Sequence, residues 1–183
     1  MKLYLPVFMM ITFVSWGQNP DAKNRPSTDA PAENWKTLDD KGYSIQYPES
    51  WELRQDGTGG TKFILLSKQA NAQDQFRENV NLIIQSLAGQ KIDLDKYTEI
   101  SEQQIKQLIQ NSHIKESTRV KTKKHPYHKE VYTGEQSIYK LTFEQYYWVI
   151  GDNAYVLTFT AEQTAYDEYK AIGEKIMNSF QLK

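Results

Sequence analysis

The chain has 183 residues, no cysteine, and 22 Lys and Arg against 23 Asp and Glu, for a net charge of −1. Without thiols it has no disulfide, no thiolate nucleophile and no cysteine-bound zinc. A charge this close to neutral supplies no strongly basic face to capture nucleic acid.

Met1-Lys2 precedes an apolar run from Leu3 to Val14. That run has the length of a signal-peptide core and falls short of the roughly 20 residues that span a bilayer. Ser15 and Gly17 offer the small side chains that a signal peptidase reads, so residues 1–17 are expected to be a signal peptide cleaved before Gln18. No cysteine follows to accept a lipid. The expected product is a soluble protein, periplasmic or secreted, with no stable membrane insertion after cleavage. Residues 18–34 carry Pro20, Pro26 and Pro31 and almost no apolar side chain. Such a segment cannot bury enough surface to offset the entropy of ordering it, which makes it a disordered linker. Trp35 and Leu38 are the first residues that require a core, and residues 35–183 show no further low-complexity break and no internal repeat. One domain is expected there, of the size that buries about 68–70% of its unfolded surface.

Tyr43, Ile45 and Tyr47 alternate with Ser44 and Gln46, the period of a strand with one wet face. Pro48 ends it, and Trp51 and Leu53 begin a second short strand, so Gly42 to Leu53 reads as an opening hairpin. The turn cluster Asp56 to Gly60 leads into an apolar strand from Phe63 to Leu66, and the polar run Gln69 to Glu78 reads as a loop. Asn79 to Leu87 is a central strand with Val80, Leu82 and Ile84 on one face and Ile83 on the other. Leu94, Tyr97, Ile100, Ile105, Leu108 and Ile109 fall on three-and-four spacing, predicting an amphipathic helix from Leu94 to Gln110. Strands resume from Ile114. Val120 lies in one strand, flanked by the cluster Lys121, Lys123, Lys124 and His125, read as its solvated face, and Val131 lies in the next, past Pro126. Ile138 to Ile150 and Ala154 to Thr160 form a long hairpin about the Gly151-Asp152-Asn153 turn. A final helix, near Thr164 to Phe180, aligns Ala165, Tyr169, Ile172, Ile176 and Phe180, with Thr164 as its expected N-cap. Runs of hairpins with two long helices indicate an α+β domain, an antiparallel sheet covered by helices, and no doubly wound nucleotide fold.

Three stretches together resemble the PsbP-like superfamily. They are GYSIQYPESWEL, with Gly42, Tyr43, Tyr47, Pro48 and Trp51; ENVNLIIQSL; and the closing strand and helix that end in Asn178-Ser179-Phe180. The resemblance runs from about Trp35 to the end of the chain. It implies an α/β/α sandwich around an antiparallel β-sheet. Members of the superfamily serve as binding and assembly subunits in unrelated systems, so the resemblance implies no particular chemistry.

Residues suited to chemistry are few. His125 and His128, in His-Pro-Tyr-His, are the one close imidazole pair and a weak metal motif, with His113 and Glu130 as conceivable further ligands. Glu49, Glu52, Asp56 and Glu78 form no distinguished acid-base pair, and Ser50, Ser67, Ser86 and Ser179 lack a nucleophile elbow. No cofactor fingerprint is present, and no enzymatic activity is expected. Tyr146-Tyr147-Trp148 places aromatics on both faces of a strand. All three are core if helices cover both faces; if one face is partly bare, Tyr146 and Trp148 form a partner-binding patch. The expected function is an exported, non-catalytic binding or accessory module that engages an unknown protein of the cell envelope. The alternatives are a carrier or sensor of a small apolar ligand and, below it, a metal-binding protein using His125 and His128.

Overall fold

The computed structural model describes residues 34–72 and 74–183. The expected signal peptide and all of the linker but Asn34 lie outside the described residues. Among the described residues, two antiparallel sheets and two α-helices make up the fold. The smaller sheet has the order β1-β2-β10, from β1 (Trp35–Asp39), β2 (Tyr43–Pro48) and β10 (Gln181–Leu182). The larger has the order β3-β4-β5-β9-β8-β7-β6. Its strands are β3 (Glu52–Arg54), β4 (Thr61–Leu66), β5 (Asn79–Ser86), β6 (Gln110–Val120), β7 (Tyr127–Gln136), β8 (Tyr139–Ile150) and β9 (Asn153–Glu162).

Helix α1 (Leu94–Leu108) starts where the Asp93 carboxylate accepts a hydrogen bond from the Lys96 amide at 2.8 Å. It covers one face of the large sheet, packing Tyr97 and Ile105 against Tyr147, Tyr132 and Phe143. Helix α2 (Tyr166–Asn178) and the small sheet cover the other face. Ile176, Met177, Tyr43 and Ile45 meet Phe63, Val80, Leu82, Leu157 and Phe159 there. The large sheet is therefore sandwiched, and strand residues that point to opposite faces are both buried. Tyr146, Tyr147 and Trp148 are 3%, 1% and 6% exposed.

Several local expectations change. Gly42 to Leu53 is not a hairpin, because β2 pairs with β1 and β10 whereas β3 pairs with β4 in the other sheet. The chain crosses between sheets at a tight turn in which the Trp51 amide donates to the Pro48 carbonyl at 3.0 Å. Leu108 does not join the apolar face of α1 and stands 53% exposed at the helix end, while Ile109, just past it, is buried. Ile138 lies outside β8 in the turn after Ser137 and is 78% exposed. Thr164 does not cap α2. Ala165 occupies that position with no side-chain bond, and Asp167 and Glu168 place negative charge in the first turn instead. β6 begins at Gln110, four residues before the first apolar signal, because it is the edge strand of its sheet and is mostly solvated. Lys121 to Pro126 form a loop and no strand face.

Candidate binding cleft

Where β7 and β8 run beside the end of α2, a cleft of about 380 Å³ opens. The floor is aromatic, formed by Tyr127, Trp148 and Phe180, with Leu182 beside them. The Trp148 ring centroid lies 5.1 Å from both Tyr127 and Phe180, and Phe180 continues the chain of rings to Tyr43 at 5.8 Å. Alternation places Tyr127, Tyr146 and Trp148 on the same side of adjacent strands, where Tyr146 lies behind Tyr127 at 4.8 Å. Trp148 thus reaches the cleft, and Tyr146 is packed beneath it.

The rim is polar and cationic. Thr122, Lys124 and His125 come from the loop between β6 and β7, and Asn178 and Gln181 from the end of α2 and β10. Two hydrogen bonds shape it. Thr122 Oγ1 accepts from the His125 amide at 3.2 Å, and Lys124 Nζ donates to the Leu182 carbonyl at 3.3 Å, fastening the loop to the small sheet. His125 Nε2 is buried and has no hydrogen-bond partner among the described residues. No carboxylate lines the cleft.

Of the signature Asn178-Ser179-Phe180, Asn178 and Phe180 line the cleft and Ser179 does not. Asn178 Oδ1 accepts from the Tyr146 hydroxyl at 3.3 Å. Ser179 Oγ accepts from the Gln46 amide at 2.8 Å and lies 2.7 Å from the Ile176 carbonyl, tying the helix end to β2. Of the serines in the sequence reading, Ser179 is thus a structural joint. Ser67 donates to Glu78 at 3.3 Å in a buried pair, and burial pushes the Glu78 carboxyl up to about 7. Ser86 Oγ accepts from the Ala88 amide at 3.3 Å in a turn. Of the remaining carboxylates, Glu49 pairs with Lys36, Glu52 with Arg54 and Arg77, and Asp56 with the Thr58 amide.

His125 and His128 are separated by the sheet. His125 lines the cleft on the α2 side, whereas His128 stacks on Tyr147 on the α1 side, with ring centroids 6.3 Å apart. Among the described residues no three His, Asp or Glu side chains converge as a metal site. The alternating backbone of β7 is the cause: Tyr127 and His128 are adjacent and point to opposite faces.

Two buried polar clusters escaped the sequence reading. On the α2 side, Lys129 reaches the buried Glu144 at 3.3 Å, and the Tyr146 and Tyr166 hydroxyls donate to the same carboxylate at 3.0 and 3.3 Å. Burial opposes the Lys129 charge, but Glu144, Glu116 and Glu174 outweigh it and raise the pKa. On the α1 side, the Tyr147 hydroxyl sits 2.8 Å from Glu130, and burial pushes the Glu130 carboxyl up to about 7. Ser117 Oγ donates to Glu102 at 2.7 Å and lies 2.9 Å from His128 Nε2. Glu102 lies on α1, Ser117 on the edge strand β6 and His128 on β7, with the acid on the serine and not on the imidazole, unlike a serine-histidine-acid triad, in which the acid orients the imidazole.

No protein-family model matches the chain, and no curated protein matches it in sequence. Solved structures do match its shape. The cyanobacterial PsbP protein CyanoP of Synechocystis sp. PCC 6803 superposes with a TM-score of 0.57 at 12% identity, covering 87% of this chain and 98% of that one. The fold is PsbP-like. LpqN of Mycobacterium tuberculosis, described as involved in cell envelope biogenesis, superposes with a TM-score of 0.61 at 13% identity, covering 84% of this chain and 92% of that one. A Pseudomonas aeruginosa protein of unknown function gives 0.55 at 8% identity over 79% and 94%. The α+β sandwich expected from the sequence is thus the architecture of these proteins. Among the described residues, no helix is long and apolar enough to cross a membrane.

Proposed function

We propose that this chain is an exported, non-catalytic accessory module of the cell envelope that engages a partner protein through the Trp148 cleft. The observation that carries the reading is the cleft itself. It is a concave space floored by three rings, rimmed by hydrogen-bonding groups and lined by no carboxylate. Aromatic floors with polar rims suit the anchoring of an apolar side chain from a partner. Neither buried carboxyl with a raised pKa, Glu78 or Glu130, lines the cleft, so these carboxyls and the concave surface do not coincide. The description of LpqN as an envelope-biogenesis protein supports the setting, and the apolar run Leu3 to Val14 supports export.

A second reading, a carrier of a small apolar ligand, is favoured by the volume, which exceeds the roughly 300 Å³ at which small-molecule pockets begin. Affinity capture from envelope extract with the wild-type protein and a Thr122→Trp variant separates the two. Thr122 is exposed at the rim, so the added indole fills the cleft without disturbing the core. A protein retained by wild type and lost with the variant supports the partner reading. A small molecule recovered from wild type alone favours the carrier, and equal retention by both proteins contradicts use of the cleft.

A further inference from the structure

We infer that the cleft takes the carboxyl-terminal residue of a partner polypeptide, its apolar or aromatic side chain on the ring floor and its free carboxylate against Lys124 and His125. This inference rests on the reading of the cleft as a partner site and adds the chemistry of the occupant.

Two observations converge on it. The first is charge. The lining carries an ammonium group and an imidazole and no Asp or Glu, which favours an anion. The second is the backbone. β10 is an edge strand of the small sheet, its Leu182 lines the cleft, and the Leu182 carbonyl faces Lys124 across 3.3 Å. Strand edges pair with incoming main chain, and terminal carboxylates are captured by clustered donors. An occupant with both a backbone and a terminal carboxylate uses both features. A free aromatic acid uses only the first, and an internal loop only the second.

Calorimetric titration of the purified chain with N-acetyl-Ala-Ala-Phe as the free acid, the same peptide as its C-terminal amide, and N-acetyl-phenylalanine tests this. The acid is expected to bind about tenfold tighter than the amide, the return expected of charge-assisted hydrogen bonds. A Lys124→Met, His125→Ala double variant should bring the two within about twofold of each other, while Thr122→Trp abolishes binding of both. Circular dichroism confirms that these rim variants remain folded. Equal affinity of acid and amide for wild type overturns the inference, and if Thr122→Trp still blocks both, the partner cleft itself stands. N-acetyl-phenylalanine binding as tightly as the tripeptide acid overturns the polypeptide part. Binding that survives Thr122→Trp locates the peptide elsewhere and overturns both readings, and no binding of any probe overturns the inference.

Discussion

Trp148 and Phe180 pack ring against ring at 5.1 Å, joining the long β8–β9 hairpin to the end of α2. The same two rings form the floor of the cleft, so packing and site share their residues. Phe180→Ala is expected to cost about 3–5 kcal/mol, because a nearly buried ring is replaced by a void next to Tyr43 and Trp148. Urea melts measure it. A loss below about 1 kcal/mol would show that the ring chain does not hold the helix to the sheets.

Gly173 marks where α2 lies closest to the sheet. A methyl group there would sit 2.7 Å from the Phe159 ring, which is fully buried. Gly173→Ala gains helix propensity, yet overpacking of this kind costs about 1–3 kcal/mol and should win. Thermal denaturation decides the sign, and a stabilised variant would mean that the helix can lift off without penalty.

Among the described residues, Lys129 is the one cation paired with the buried Glu144, and it draws further charge from Glu116 and Glu174. Lys129→Met therefore leaves a carboxylate in the interior with only tyrosine hydroxyls for company, at a cost of about 3 kcal/mol. Glu144→Gln added to that variant removes the stranded charge and should return a good part of the loss. Chemical denaturation of the single and double variants tests this, and additive losses would contradict the pairing.

Glu130 makes the stability pH-dependent. Burial is the main cause that lifts its carboxyl to about 7, assisted by Glu102 and opposed by Tyr147 and Lys106. The folded protein then holds a proton that the unfolded chain, with a carboxyl near 4.5, has already released. Its contribution is fully present below pH 4.5 and is lost as pH rises through about 7. Glu78, raised to about 7 by burial, has the same sign. Glu130→Gln keeps an acceptor for the Tyr147 hydroxyl and carries no charge. It should stabilise the protein at pH 8, on the order of 3 kcal/mol, and change little at pH 4.5. Melting curves at both pH values measure the difference, and a variant less stable at pH 8 would show that Glu130 is ionised and well satisfied in the fold.

The sandwich was legible because its evidence is periodic. Val80, Leu82 and Ile84 against Ile83 report two covered faces, and the alternation along Tyr139 to Val149 reports one, leaving the cover over Tyr146 and Trp148 to the structure. What escaped has little apolar content. β1 has only Trp35 and Leu38 to bury, and β6, expected from Ile114, begins four residues earlier because its first residues form a solvated edge. The false hairpin at Gly42 to Leu53 arose because periodicity identifies strands but not the sheet each one joins. The cleft was invisible for a related reason: its rim comes from the 122–125 loop and its wall from residues 178–182, brought together only by the bond of Lys124 to Leu182 and the rings beneath. The same geometry divides His125 from His128, which adjacency in sequence had paired.

Use of the cleft is tested most directly by photo-cross-linking in the native host, with a photoreactive amino acid placed at Lys124 in one strain and at Lys106, on α1 across the sheet, in another. A discrete adduct of defined mass is expected from position 124 and none of that mass from position 106. The same adduct from both positions, or an adduct from position 106 alone, would contradict use of the cleft.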